Sequence, residues 1–350
     1  MSNNKTEPRN DSRFKAFLRK KNIEISVQRY LIDALGVMAQ GLFASLLIGT
    51  ILNTIGENLG IVFLTETVWP ICQQMTGAAI GVAVAFGLKA PPLVLFASTI
   101  TGTAGNALGG PAGAFCAALV GAEFGKLISK ETKIDIILTP AVTIIIGVLV
   151  GTAVGPAIGA FMTAAGELIM YATTLQPFLM GILVSVVVGI ILTLPVSSAA
   201  LCMMLSLSGI AAGAATAGCC ANMVGFAFLS FKENGWGGVA AQGLGTSMLQ
   251  VPNLVRNPRC WIPVVIVSAI TGPMSTLLFQ MENSPMGAGM GTSGLVGIIE
   301  TLNTMGGGLK VWLGILILYI VIPAVLTPII GNVMRKIGWI KENDLKIDLV

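Results

Sequence analysis

Apolar runs long enough to cross a bilayer recur along this chain, and most are interrupted by small or polar residues. The first runs over about 34–52 and the last over about 311–330. One crossing of a hydrocarbon core takes about 20 apolar residues, so the chain can supply about ten spans with loops left over. Only 10% of residues are charged and the mean hydropathy is +0.86, whereas soluble domains carry about 25% charge. That excludes a soluble enzyme, a disordered protein and a conventional nucleic-acid binder. The further spans predicted are 68–88, two short pieces within 92–124, 136–154, an amphipathic stretch over 156–176, 177–194, a Gly/Ala-rich span over 210–231 and 262–279. Half-helices are predicted over 195–209 and 295–303.

Charge sets the expected orientation. Residues 1–30 hold eight basic residues (Lys5, Arg9, Arg13, Lys15, Arg19, Lys20, Lys21, Arg29) against three acidic ones. Their place directly before the first span reads as a positive-inside anchor on an anionic leaflet, not as a nucleic-acid arm. No cleavable signal is expected, because the first apolar run lies behind this charged segment without a small-residue cleavage pattern. Lys126, Lys130 and Lys133, then Arg256 and Arg259, then Arg335 and Lys336 are the other basic clusters. Placing all four inside gives a multi-pass protein of the cell membrane with both termini cytoplasmic. Lys232 is the basic residue that fits this arrangement least. The six cysteines form no C-x-x-C pair or zinc-like spacing and read as small packing residues. The chain has no histidine, which excludes phosphohistidine chemistry, imidazole metal ligation and Ser/Cys–His catalysis within it. No cofactor and no metal is expected.

The interruptions carry the functional reading. An unpaired backbone group in hydrocarbon costs several kcal/mol, so broken helices persist only within protein or beside a water-filled cavity. Transporters bring such half-helix ends together near mid-membrane. Three breaks share one chemistry. Pro195-Val196-Ser197-Ser198 precedes a short apolar helix; Gly243-Leu244-Gly245-Thr246-Ser247 and Gly289-Met290-Gly291-Thr292-Ser293 repeat Gly-x-Gly-Thr-Ser 46 residues apart. In each the hydroxyls stand where an N-cap belongs, and the exposed N–H groups would cradle an anion or a cluster of hydroxyls. The competing reading makes them Gly/Ser packing faces between helices. A fourth break, over 101–111, reads either as a re-entrant tip or as an ordinary helix–helix turn. Ionisable groups beside apolar segments are functional by default, which singles out Glu233, with Asn234 next to it, and Glu300. Asn222, Gln242, Gln250 and Asn253 are amides suited to sugar hydroxyls or to holding helices together. Trp236 fits an interfacial anchor or a sugar-stacking ring.

Several of these stretches together resemble a known family. Leu194-Pro195-Val196-Ser197-Ser198-Ala199-Ala200, residues 218–253, Gly272-Pro273 and residues 287–297 are similar to the membrane (EIIC) subunits of the bacterial sugar phosphotransferase system. The closer similarity is to a stand-alone EIIC-like branch that includes membrane proteins described as regulators of perfringolysin-type toxin expression. The resemblance covers most of 30–335. It implies an all-α polytopic membrane protein of about ten helices with re-entrant hairpins, a homodimer, elevator-type alternating access and a sugar or related polar or anionic solute. It also implies that Ser197, Ser198, Asn222, Glu233, Gln242, Thr246 and Asn253 line or support the site, to which the motif reading adds Asn234, Ser247, Gln250, Thr292, Ser293 and Glu300. Two departures stand out: relatives use a histidine with a glutamate at the sugar, and no fused EIIA or EIIB domain is expected, so phosphotransfer would need separate EIIA/EIIB proteins. The expected organisation is a basic arm over 1–30, an EIIC-like membrane domain over 31–335 and a tail over 336–350. The leading functional reading is a solute transporter. The second is a membrane sensor that binds a solute and signals to a partner, and an intramembrane enzyme is the third.

Overall fold

The computed structural model describes residues 13–347; Lys5, Glu7, Arg9 and Asp11 of the basic arm and residues 348–350 of the tail lie outside them. The described residues are helical throughout apart from connecting turns and one isolated bridge between Gly209 and Asn283. Helix α1 is Arg13–Lys20, followed by α2 (Gln28–Leu59), α3 (Phe63–Gly87), α4 (Pro92–Ile128), α5 (Asp135–Thr173) and α6 (Pro177–Thr193). Short α7 (Ser198–Met204) leads to α8 (Gly209–Leu229), then α9 (Phe231–Ala240) and α10 (Val251–Arg256). Helix α11 (Pro258–Phe279) is followed by α12 (Pro285–Ala288) and α13 (Val296–Met305), and α14 (Leu309–Lys336) closes the set. Among the described residues seven helices, α2 to α5, α8, α11 and α14, are long and apolar enough to cross a membrane; α6 is apolar but shorter. The chain is an all-α polytopic membrane protein.

Two helices explain how the count differs from the sequence-based one. Helix α4 has non-helical backbone at Gly109 (φ −150°, ψ 22°) and Gly110 (φ 59°, ψ −154°). The Gly110 geometry is open essentially only to glycine, and Pro111, which lacks an N–H, starts the returning arm well. The arms run antiparallel. A methyl on Gly105 would lie 2.3 Å from the Gly113 carbonyl oxygen, and one on Gly125 would lie 2.9 Å from a Val94 methyl. The break expected within 102–111 is therefore the tip of a helical hairpin whose two ends open on the same side. Helix α5, by contrast, passes through Pro156 without ending and reaches 39 residues, where the sequence suggests a span and a separate amphipathic stretch. Neighbouring hydroxyls and helices re-satisfy a backbone group freed by proline inside a membrane helix.

Helix α8 is the central element: 94% of its apolar window is buried. Small residues let neighbouring backbones touch it. A methyl on Gly218 would fall 1.9 Å from the Ser185 carbonyl oxygen of α6, and one on Gly213 would fall 1.9 Å from the Met281 carbonyl oxygen. One apolar core joins α2, α3, the α4 hairpin and the turn at Met248–Val251. A second joins α6, α7, α8 and the end of α5. Large apolar side chains such as Phe86, Ile145, Leu149, Val325 and Ile329 remain exposed on the outer helix faces, where lipid would cover them.

The basic clusters gather at one end. Lys21 bonds Glu131 and the Ser129 carbonyl, Lys126 Nζ donates to the Asn22 and Leu88 carbonyls, and Arg29 also donates to Leu88. Asp33, Arg256 and Lys346 line one shallow cleft. The segment from 336 onward, read from sequence as a tail, is packed into the body: Ile340 and Leu345 belong to a core with Phe226, Leu254 and Val264.

A candidate solute-binding cavity between two helix groups

A cavity of about 330 Å³ lies on the seam between the two cores. One wall comes from α2, α3 and the α4 tip: Leu46, Thr50, Gln73, Thr76, Asn106, Gly110 and Pro111. The other comes from Leu192 at the end of α6, Val196, Ser197 and Ser198 at the start of α7, and Met290 and Ser293 of the second Gly-rich turn, while Thr246 and Met248 line it from the first Gly-rich turn, which packs on the first core. All four interruptions read from the sequence therefore meet at one void, and no Asp, Glu, Lys or Arg lines it.

Local geometry explains how each break reaches the cavity. Ser197 is extended and caps α7, its hydroxyl accepting from the Ala200 N–H at 3.2 Å. The Ser198 hydroxyl donates to the Gly289 carbonyl at 2.6 Å, which ties the first break to the third. Thr246 is likewise extended and accepts from the Met248 N–H at 3.1 Å. The expected third cap is absent. At Thr292-Ser293 the chain curls through positive φ at Gly291, Gly294 and Leu295, and the Thr292 hydroxyl turns away to the Met223 sulfur. The repeated Gly-x-Gly-Thr-Ser thus adopts two different conformations, positive φ occurring at Gly291 of the second copy and not at Gly245 of the first. The Ser293 hydroxyl has no partner and is buried on the cavity wall. Thr50 and Thr76 donate to the carbonyls of Leu46 and Cys72, which leaves their oxygen lone pairs as acceptors. Gln73 and Asn106 add amides. The wall can therefore accept from and donate to a neutral, hydroxyl-rich solute.

Thr50, Gln73, Thr76 and Asn106 were not singled out by the sequence. Gln73 and Thr76 are three apart, which puts them on one helix face, and Asn106 lies in the fourth break. Those signals were present, but several other polar positions share them.

The remaining sequence-predicted residues are placed elsewhere. Asn222 and Ser247 form a buried network behind the wall. The Asn222 amide donates to the Gly218 carbonyl and the Ser268 hydroxyl, and Thr193 lies 3.4 Å from Asn222 Oδ1 and 2.7 Å from the Ser247 hydroxyl. Gln242, Gln250, Asn253 and Asn234 clamp the C-terminal segment. Gln250 Nε2 donates to Gln242 Oε1 at 2.9 Å and to the Leu345 carbonyl at 3.0 Å. Asn253 donates to Gln250 Oε1 and the Lys346 carbonyl, and Asn234 pairs with the Leu345 carbonyl and the Ile347 N–H. Glu233 forms an ion pair with Arg335 at 2.6 Å, while its second oxygen is buried without a partner. Glu300 accepts from Ser284 and Asn303 on the far side of the Gly-rich loop. Trp236 faces an apolar groove beside Phe228 and Leu244, away from the cavity. All six cysteines are free, and no cluster of metal-ligating side chains occurs among the described residues.

A family model described as "Phosphotransferase system, EIIC" matches residues 32–347. No curated protein and no solved structure matches the chain.

Proposed function

Because the chain belongs to the phosphotransferase system EIIC family, a family of membrane components that work with a solute and with EIIA and EIIB partners, we propose that it carries a neutral, hydroxyl-rich solute of the sugar class through the cavity between its two helix groups. The single observation that carries this reading is the convergence of four helix interruptions on one uncharged polar void. An anionic solute would leave its charge without a counter-ion there, at a cost of several kcal/mol in a low-dielectric site. Sugar hydroxyls instead match the alternating acceptors and amide donors. Residues 13–33 and 336–347, with the basic clusters around them, mark the cytoplasmic end. The cavity lies on a seam, so a rigid-body shift of one helix group against the other exposes it alternately, in an elevator-type cycle by a homodimer.

A second reading, solute sensing, is favoured by one feature. The turn that puts Thr246 and Met248 on the cavity also carries Gln250, which grips the tail. Occupancy would then bias the tail.

Sealed vesicles containing the purified protein separate the readings. Saturable uptake of a labelled neutral monosaccharide, lost in Ser198→Leu, supports transport. Binding without flux supports sensing. Tighter binding of a sugar acid than of its neutral parent would overturn the neutral-solute assignment.

A further inference from the structure

A concavity of about 1110 Å³, open to solvent, lies at the end where the basic clusters gather. Lys232, Arg335, Lys336, Lys341 and Lys346 surround it, against Glu233 and Glu342. Arg335 is engaged by Glu233. Among the described residues no hydrogen-bond or ion-pair partner engages the ammonium groups of the other four. Four unpaired cations around one basin repel each other, and an anion entering it relieves that repulsion.

Beside this basin runs an apolar groove of about 320 Å³, lined by Val224, Phe228, Trp236, Leu244, Leu295 and Ile320. The segment α9 joins the two across a backbone break at Gly235 (φ 57°, ψ −159°), with Lys232 on the basin before the break and Trp236 on the groove after it. The Phe231 and Trp236 rings meet edge to face at 5.2 Å between them. Trp236 is 71% exposed, and Ile337 and Trp339 are also exposed at the basin's edge. Aromatic and apolar side chains at the foot of a lysine cluster are the arrangement found where a protein meets the headgroup level of a bilayer.

We propose that basin and groove form one site for an anionic phospholipid, its phosphate held by the lysines and an acyl chain lying along the groove. A soluble phosphate would use the basin alone. A lipid uses both, and the continuity of the two across α9 favours the lipid. This site is separate from the solute cavity and does not depend on the transport reading.

The test uses the full chain in a non-ionic detergent, titrated with phosphatidylglycerol, with phosphatidylcholine, and with glycerol phosphate, and followed by thermal shift. Phosphatidylglycerol is expected to raise the melting temperature saturably, and the other two are not. Each lysine near an anionic lipid is worth roughly fivefold in affinity, so Lys336→Gln with Lys341→Gln should weaken phosphatidylglycerol on the order of 25-fold. The same pair changed to Arg should restore it. Val239 also lines the groove, and Val239→Trp, which fills it, should weaken phosphatidylglycerol as well. An unchanged affinity in the double Gln variant would overturn the site. A glycerol phosphate shift equal to that of phosphatidylglycerol, insensitive to Val239→Trp, would overturn the lipid as its occupant.

Discussion

Thr246 and Gln250 lie four residues apart in one turn, yet they belong to two different kinds of polar region. Thr246 faces the cavity with Ser197, Ser198 and Ser293. Gln250 faces Gln242, Asn253 and the backbone of the tail, and it is fully buried. In the amide cluster donor meets acceptor throughout, so it works as structure. In the cavity, polar atoms remain over: the unpaired Ser293 hydroxyl, the lone pairs of Thr50 and Thr76, the amides of Gln73 and Asn106. Composition makes the two alike, and pairing tells them apart. A polar group already satisfied by protein adds little to a solute, whereas an unsatisfied one at a void is available to it.

Replacing Ser198 should separate the regions most sharply. Ser198→Leu pushes a bulky side chain into the cavity and strands the Gly289 carbonyl, so solute binding should fall by about 100-fold or more. Size-exclusion chromatography checks that the protein remains folded, and equilibrium binding of a labelled neutral monosaccharide reads the loss. If binding survives, the cavity is not the site. Gln250→Leu should do the reverse. It strands the partners of several buried hydrogen bonds, which is worth about 2–4 kcal/mol of stability. Thermal unfolding measures that. A loss of affinity larger than the loss expected from unfolding would place Gln250 with the solute and dissolve the distinction.

Ser293→Ala gives a finer contrast. Its hydroxyl bonds nothing in the protein, so stability should hold or rise slightly while affinity falls by about fivefold, the worth of one hydrogen bond. A stability loss without an affinity change would show that the hydroxyl serves the fold instead.

The smallest effect is expected at a partly exposed polar contact outside both regions. Lys21 hydrogen-bonds Glu131 and holds its carboxyl below the usual carboxylate range. A depressed folded value stabilises docking of the N-terminal segment above the ordinary glutamate pKa of about 4.3, and that stabilisation is lost as pH falls through the folded value. Hydrogen exchange at residues 17–21, corrected for intrinsic rates, should rise there in the native chain and already be raised at neutral pH in Glu131→Gln. Equal exchange in the two at neutral pH would remove Glu131 from the docking contact.

Much of the architecture was legible in the sequence. Apolar runs, basic clusters and the glycine–proline interruptions foretold an all-α polytopic membrane protein, and the Gly109-Gly110-Pro111 turn lies inside the break expected over 102–111. The Ser197 cap was legible too, since serine is among the residues preferred at an N-cap and here stands directly before a short apolar run. The continuity of α5 through Pro156 was not, because proline breaks a water-exposed helix but is tolerated where neighbours re-satisfy the backbone. Nor was the partition of the amides. Asn222, Gln250 and Asn253 stand near the Gly-rich turns in sequence, but each has a partner distant along the chain, Ser268 for Asn222 and residues 345–346 for the other two. The sequence marks which residues are polar, and only the tertiary fold decides whether a polar group meets protein or empty space. The same applies to Glu233, whose partner Arg335 is 102 residues away.

Substituted-cysteine labelling in lipid vesicles tests the wet cavity most directly. In a background with the native cysteines replaced, Ser197→Cys should react with a small hydrophilic thiol reagent and be protected by a neutral monosaccharide, while Gln242→Cys should stay unreactive under the same conditions. No labelling at position 197, or labelling there that no solute protects while position 242 reacts freely, would contradict a water-filled binding site on this seam.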